Sequence, residues 1–268
     1  MIKVEKNFED IPNILTSSPA GRGESREEAF NANVTSKSYC DDKNRYKVGS
    51  VQNKLNEIYH LKCAYCEQKL LDAPKHIEHY RPKKVYYWLA YSWDNLLLCC
   101  CACNSAKCDR FETENSAICY SDEVFEDIHA LGTGYDNLEK PMVINPEKED
   151  VLDLITFDKN GKINSADVRV RHTIDEACNL NRDELVQLRM EIVNDFIHRM
   201  NEHYLYFKKH KDASRFIPDI ENFIENCKVE NEFYAFRYFL LNHVEIFFED
   251  NVVLQKLICG KYEQYHDH

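Results

Sequence analysis

Apolar residues recur at helical spacing in two long parts of the chain. The first predicted helix begins near Ser50, a candidate N-cap, and its apolar positions are Val51, Leu55, Ile58 and Tyr59. The second begins near Asn181, where Glu184 three residues on gives a capping pattern. It runs to about residue 210, with an apolar stripe formed by Leu185, Leu188, Ile192, Phe196 and Met200. Phe-rich segments at about 213–226 and 230–258 predict further helices, so the C-terminal part reads as a helical bundle.

The pattern differs in the rest of the chain. Residues 63–111 change to short strands rich in Tyr, Trp and His, followed by a Cys-rich segment. Asn160-Gly161 predicts the turn of a small hairpin near 154–164. Residues 1–46 lack long periodicity and include the turn-prone segment 17–23, which indicates a loosely structured arm with short helical pieces. We therefore expect an α+β, predominantly helical chain in three parts, with bounds at 1–46, 47–118 and 119–268.

Composition narrows the class of protein. The chain has 268 residues, of which 44% are hydrophobic and 30% charged, as in ordinary globular proteins. The longest apolar run, Leu96–Cys103, is too short to cross a bilayer, which takes about 20 residues. Acids and lysines occupy the first ten residues, where a signal peptide would be apolar. We therefore expect a cytoplasmic protein without a membrane partner, in which 12 cysteines indicate metal binding rather than disulfides.

Charge is unevenly distributed. The net charge is −12, yet residues 60–111 hold eight lysines and arginines against five acidic residues. A basic island in an acidic chain can bind a polyanion locally while the rest faces another partner. A solvated mixture of charges explains the same distribution, so charge alone leaves both interpretations open.

Two CxxC pairs, Cys63 with Cys66 and Cys100 with Cys103, predict a tetrahedral zinc site. The register of the second pair is open, because Cys99, Cys101 and Cys108 lie near it; Cys100 with Cys103 is the simplest pairing. Four thiolates leave no open coordination position, so this Zn²⁺ would be structural. The alternative is a set of buried, apolar cysteines.

Polar residues with catalytic chemistry lie between and just after these pairs. They are Glu78 and His79, then Asn95, then Asn104 directly after the second pair. A carboxylate and an amide oxygen suit Mg²⁺ or a similar divalent cation, and a neutral imidazole can take a proton from water near pH 7. Each residue alone would be an ordinary surface, turn or cap residue. Their order inside a split zinc frame favours a nuclease site.

The segment 63–107 resembles the HNH (ββα-metal) endonuclease superfamily. More narrowly, three motifs resemble the PtuB-like HNH nucleases of Septu-type and retron-linked anti-phage systems: 63–67 (CAYCE), 77–83 (IEHYRPK) and 93–97 (WDNLL). Less specific similarities extend to 144–146, 157–161 and 173–185, so the resemblance covers about residues 45–240. It implies a zinc-stapled ββα-metal core followed by a C-terminal helical bundle.

The resemblance also implies roles. His79 matches the general base that activates water, and Glu78 with Asn104 matches the ligands of the catalytic divalent ion. Asn95 matches the middle Asn that holds the catalytic loop. Asn104 in the last position, where some members have His, makes the motif an HNN variant.

Basic residues near this site are candidates for phosphate contacts, or are ordinary surface charge. They are Arg81, Lys83, Lys84 and Lys107. His76 is a second-tier candidate, because in a strand it shares a face with Glu78 while His79 points away unless the strand end reorients it. Most of the aromatic residues near 80–93 fit core packing better than base stacking.

We therefore hypothesise a metal-dependent HNH nuclease that cuts DNA or RNA as the effector of an anti-phage system. The resemblance implies an ATPase partner of the PtuA type, and acidic helices after residue 165 are the candidate docking region. One alternative is a non-catalytic zinc-stabilised nucleic-acid-binding or adaptor module. Another is a homing or restriction-type HNH enzyme that acts alone.

Overall fold

The computed structural model describes residue 1, residues 3–16 and residues 25–266. The turn-prone segment 17–23 lies outside the described residues. About half of the chain is helical, with helices and short strands in the order α1 (Asn13–Thr16), α2 (Arg26–Ser36), α3 (Gly49–Ile58), β1 (Lys75–His79), β2 (Leu96–Cys100), α4 (Cys101–Lys107), α5 (Gly132–Glu139), β3 (Thr156–Phe157), β4 (Ile163–Asn164), α6 (Val168–His172), α7 (Asp183–His210), α8 (Phe216–Glu225), α9 (Tyr234–Asn242), α10 (Val244–Phe247) and α11 (Val252–His266). The predicted α+β, mainly helical class is confirmed.

Strands β1 and β2 form an antiparallel pair, and α4 follows β2 directly. Lys75 pairs with Cys100 at one end and His79 with Leu96 at the other. Every residue of β2 is buried, which explains its continuous apolar run, because a strand covered on both faces has no polar side. The expected ββα core is therefore present, and it places the end of β1 beside α4.

The N-terminal region is more ordered than the sequence predicts. Helix α2 begins with a capping box, in which Ser25 Oγ accepts the Glu28 N–H and Glu28 Oε2 accepts the Ser25 N–H. Phe30 and Tyr46 are buried in the common core, and the fully buried Asn33 donates to the carbonyl of Tyr87. The expectation of a loosely structured arm is therefore wrong for residues 25–46, which pack on the ββα core.

The predicted helix near Ser50 and the hairpin near 154–164 are both found. Helix α3 begins one residue before Ser50, and its N-cap is Val48 without a side-chain hydrogen bond, so the predicted Ser cap is wrong. Strands β3 and β4 pair antiparallel around Gly161, whose φ of 76° suits a residue without a side chain.

The C-terminal helices differ from prediction in two places. Helix α7 begins after Arg182, and the Asn181 side chain bonds both backbone groups of Ile163 instead of capping the helix. The predicted helix over 230–258 is divided into α9, α10 and α11, because His243 and Phe248 leave helical backbone angles.

The C-terminal helices also contact the ββα core. Lys62, just before the first cysteine pair, donates to the carbonyls of Val229 and Asn231. Contacts of this kind cross the predicted bounds at 46 and 118, and the division into three parts stays a prediction. None of the helices described is long and apolar enough to cross a membrane.

Candidate nuclease site and zinc centre

Four buried cysteines converge where the first CxxC turn meets the start of α4. The Sγ atoms of Cys63, Cys66, Cys100 and Cys103 all lie within 4.8 Å of one another. The Cys66 and Cys100 Sγ atoms are 3.8 Å apart. A tetrahedral Zn²⁺ with Zn–S bonds of about 2.3 Å requires S–S separations of about 3.8 Å. The cluster therefore fits a four-thiolate zinc site, with the simplest predicted pairing of the second CxxC.

The set of four sulfurs that all lie close to one another does not include the neighbouring cysteines. Cys101 and Cys108 are exposed, and the buried Cys99 lies with its Sγ 3.7 Å from that of Cys63. From the start of α7, Arg182 donates to the sulfurs of Cys103 at 3.4 Å and Cys100 at 3.8 Å. A guanidinium at this position offsets the negative charge that four thiolates around one Zn²⁺ leave behind.

A cleft of about 480 Å³ opens beside the zinc frame. Its walls come from the segment before α3, from the end of β1 and from the C-terminal half of α4. The lining includes Glu78, His79, Asn104, His76, Lys83 and Tyr46. Three of the four predicted catalytic residues thus share one cavity, and the fourth, Asn95, lies behind it.

His79 is held as a neutral base. Its ring is buried, and its Nε2 lies 3.0 Å from the carbonyl oxygen of Ala90. A carbonyl can only accept, so Nε2 carries the proton and Nδ1 is the free acceptor. Burial lowers the pKa of His79 to about 3, which keeps the imidazole uncharged at neutral pH. The edge of the Tyr46 ring packs on the imidazole, with the centroids 4.5 Å apart.

Glu78 is buried and paired with a lysine. Lys107 Nζ donates to Glu78 Oε1 at 2.8 Å and to the His79 carbonyl at 2.9 Å, and Lys107 itself has no exposed surface. Burial raises the pKa of Glu78, and the Lys107 ammonium opposes that rise. Only one carboxylate oxygen is engaged by Lys107, so the second is available as a ligand.

Asn95 holds the loop that follows the base. Its Oδ1 accepts the Arg81 N–H at 2.7 Å, and its Nδ2 donates to the carbonyls of Arg81 and Leu89. The Asn95 carbonyl in turn accepts the Tyr80 N–H. These bonds bridge both sides of the segment between β1 and β2, and so fix the backbone next to His79.

Residues 63–110 match the family described as HNH endonuclease. This segment is therefore similar to an HNH endonuclease domain, and we call it the HNH domain below. It contains both cysteine pairs, the two strands, α4 and every predicted catalytic residue.

Similarity to known proteins extends beyond the HNH domain. Septu protein PtuB of Bacillus mycoides strain KBAB4 is 33% identical over 178 residues, which are 61% of this chain and 57% of that protein. Septu protein PtuA of the same strain is 24% identical over 157 residues, which are 53% of this chain and 20% of that protein. The predicted resemblance to PtuB is confirmed, although the chain spans less than two thirds of that relative. The retron association stays a prediction.

Two residues of the HNH domain that were predicted to contact phosphate are instead buried and paired with carboxylates. Arg81 is buried, and its guanidinium pairs with Glu139 and Asp136 on α5. Lys107 is buried against Glu78. Both cations are used inside the protein, so direct contact with a phosphate is not compatible with their placement. Lys83 lines the cleft, and the exposed Lys84 lies 3.6 Å from Asp109.

The second-tier candidate His76 lines the same cleft as both Glu78 and His79. Alternation along a strand would put His79 on the other face, but His79 is the last residue of β1 and the chain turns there. At this strand end, His79 lines the same cleft as Glu78.

Among the cleft residues that sequence reasoning missed, Tyr46 and Lys47 come from outside the HNH match. Both precede α3 in a stretch without periodicity or motif, so the sequence carried no signal for them.

Proposed function

We propose that this protein is a metal-dependent HNH endonuclease that hydrolyses phosphodiester bonds of nucleic acid. The observation that carries the proposal is the tautomer of His79. Its Nε2–H is tied to a backbone carbonyl, and its Nδ1 is left as a base in a cleft shared with Glu78 and Asn104. An uncharged imidazole with a free ring nitrogen can accept the proton of an attacking water, which general-base hydrolysis requires. Burial keeps the ring uncharged and also weakens it as a base, because the pKa of His79 falls to about 3.

Each residue of the site has a role in this proposal. His79 accepts the proton of the water that attacks phosphorus, and Asn95 keeps the base in place through the loop. Glu78 and Asn104 would hold a divalent ion, for which Mg²⁺ is the expected choice because the donors are a carboxylate and an amide oxygen. When bound, such an ion supplies positive charge beside the scissile phosphate. Zn²⁺ in the four-cysteine cluster would hold the frame only, since its ligand shell is full.

A larger cleft of about 1060 Å³ lies between residues 3–8 and α5. Every cation that lines it lies 3.8 Å or less from a carboxylate; these cations are Lys3, Lys6, Lys140, Lys148 and Arg169. Its described lining residues therefore include no unpaired cation for a phosphate, and they include no histidine that could act as the base. The smaller cleft of the HNH domain is therefore the better candidate for catalysis.

The similarity to PtuB supports a biological setting. We propose that the protein is a cytoplasmic effector of an anti-phage defence system and acts with a PtuA-like ATPase. The resemblance to PtuB carries this proposal, because similarity of this chain to part of PtuA is not in itself evidence of binding to PtuA. DNA and RNA both remain candidate substrates, because the described site presents groups for phosphate and metal rather than for bases.

The test is divalent-ion-dependent cleavage of plasmid, single-stranded DNA and tRNA, with and without any co-purifying ATPase. Wild type is compared with His79→Ala at equal zinc content, and with His198→Ala, which changes a mostly exposed histidine on α7. We expect cleavage by wild type and His198→Ala and none by His79→Ala. Equal cleavage by all three would refute the assignment. Nucleic-acid binding without any cleavage would favour the adaptor alternative.

A further inference from the structure

The cleft contains an ammonium group whose partners, among the residues that the structure describes, are all neutral. Lys83 Nζ lies 2.8 Å from the Tyr46 hydroxyl and 3.1 Å from Asn44 Oδ1. It also lies over the rings of Tyr39 and Tyr46, 4.1 Å and 4.7 Å from their centroids. All of these partners belong to residues 39–46, upstream of the HNH match. We call them the lysine cage.

Among the described residues, Lys83 differs from its basic neighbours because no carboxylate pairs with it. Arg81 pairs with the buried Glu139 and Lys107 with the buried Glu78, and Lys84 lies beside Asp109. Within the described part of the chain, no carboxylate lies within ion-pair distance of Lys83. An ammonium has three N–H donors, of which the lysine cage takes two. The third is left for a group in the cleft.

Tyr46 joins this lysine to the catalytic base. The same ring that contacts Lys83 packs edge-on against His79. One tyrosine therefore contacts two cleft side chains, His79 at the end of β1 and Lys83 four residues further on. Lys47, the next residue, is exposed and lines the cleft, so it adds a second positive charge on the same wall.

We propose that Lys83 binds the backbone phosphate of the nucleic acid next to the scissile bond, and that Tyr46 is the positioning residue that presents it. This inference rests on the proposed function and assigns its phosphate ligand. Preorganised donors cost less ordering on binding than a free surface lysine, because the cage has already fixed the side chain.

The buried position of Lys83 also changes the pKa of its ammonium group. Burial, together with the neighbouring Lys47, lowers the pKa of Lys83 to about 8, while Asp41, Glu78 and Asp109 oppose the shift. Lys83 is therefore mostly charged at neutral pH and loses its proton just above it. A phosphate contact by Lys83 weakens as pH rises through about 8, whereas a purely structural lysine would leave binding unchanged.

The test is binding of a fluorescent single-stranded DNA and a fluorescent RNA of equal length, without added divalent ions so that no cleavage occurs. The variants are Lys83→Met, Lys83→Arg, Tyr46→Phe and the control Lys159→Met, an exposed lysine paired with Glu249. We expect Lys83→Met to weaken binding about fivefold. It should also reduce the slope of log K against log salt concentration by about 0.7, the value for one phosphate contact to a single strand. Lys83→Arg should leave this slope unchanged.

Tyr46→Phe keeps both ring contacts and removes the hydroxyl, so we expect a smaller loss of affinity, about twofold to threefold. Thermal melting checks that each variant is folded. If Lys83→Met has a lowered melting temperature, the salt dependence of binding by Lys83→Arg is the second measurement. A Lys83→Met slope equal to that of Lys159→Met would overturn the inference while leaving cleavage, and thus the proposed function, intact. Wild type that neither binds nor cleaves either strand would overturn both.

Discussion

The buried ion pair between Lys107 and Glu78 makes a quantitative prediction. In Lys107→Met, the Glu78 carboxylate and the His79 carbonyl each lose a donor that now lies 2.8 Å and 2.9 Å away. The Lys107 side chain has no exposed surface and that of Glu78 is 7% exposed, so the lost donor lies on the buried side of Glu78, away from the cleft water. Removing one member of such a pair costs about 3–5 kcal/mol, because an uncompensated buried charge remains.

The assay is urea unfolding of wild type, Lys107→Met, Glu78→Gln and the double variant, in zinc-containing buffer without other divalent ions. A loss of about 3–5 kcal/mol lowers the urea midpoint by about 1–1.7 M at an m value of about 3 kcal/mol per M. We expect the double variant to be at least about 2 kcal/mol more stable than the sum of the single losses predicts, since neither charge is then left alone.

The exposed pair Lys159 and Glu249, 3.6 Å apart, is the matched control. A double-mutant cycle on this pair should give a coupling energy of at most about 1 kcal/mol, because solvent screens both charges. Strictly additive losses for Lys107→Met and Glu78→Gln would refute the reasoning that Lys107 neutralises a buried carboxylate.

Three further predictions concern the frame, the loop and acid stability. Cys103→Ser should lower the zinc content per chain, measured by mass spectrometry of the metal, whereas the buried but separate Cys178→Ser should not; equal zinc in both would contradict the assigned site. Asn95→Ala removes three loop hydrogen bonds and should slow cleavage at least about tenfold with zinc unchanged, so an unaltered rate would exclude a loop-holding role. Burial lowers the pKa of His129 to about 4, so the unfolded chain takes up a proton first as pH falls. The part of the free energy of unfolding that depends on neutral His129, about 3 kcal/mol, is therefore present above about pH 6.5 and is lost as pH falls towards 4. His129→Asn should lose less free energy of unfolding than wild type over this pH range. An equal loss in both proteins would show that His129 is not responsible.

Local pattern was enough to predict several elements. Helix α3 and the hairpin of β3 and β4 follow from periodicity and a turn dipeptide, which act over a few residues. The zinc cluster followed from spacing, because each CxxC fixes two thiols on one turn. The grouping of Glu78, His79 and Asn104 in one cleft also agrees with their order along the chain.

The sequence could not predict which charged residues pair with partners far away along the chain. Arg81 and Lys107 were predicted to face a phosphate, but their carboxylate partners Glu139 and Glu78 lie 58 and 29 residues away. A basic residue near a catalytic motif looks the same in sequence whether its charge is free or paired. Tyr46 was missed for the same reason, since only the folded chain brings it against His79.

The central claim is that water, activated by His79, attacks phosphorus in this cleft. Its most direct test is single-turnover cleavage in ¹⁸O-labelled water, using whichever nucleic acid the substrate panel identifies, followed by mass spectrometry of the product ends. The account predicts one labelled oxygen in each new 5′-phosphate with wild type and no cut product with His79→Ala. Products without the label, cyclic phosphate ends or labelled products from His79→Ala would contradict it.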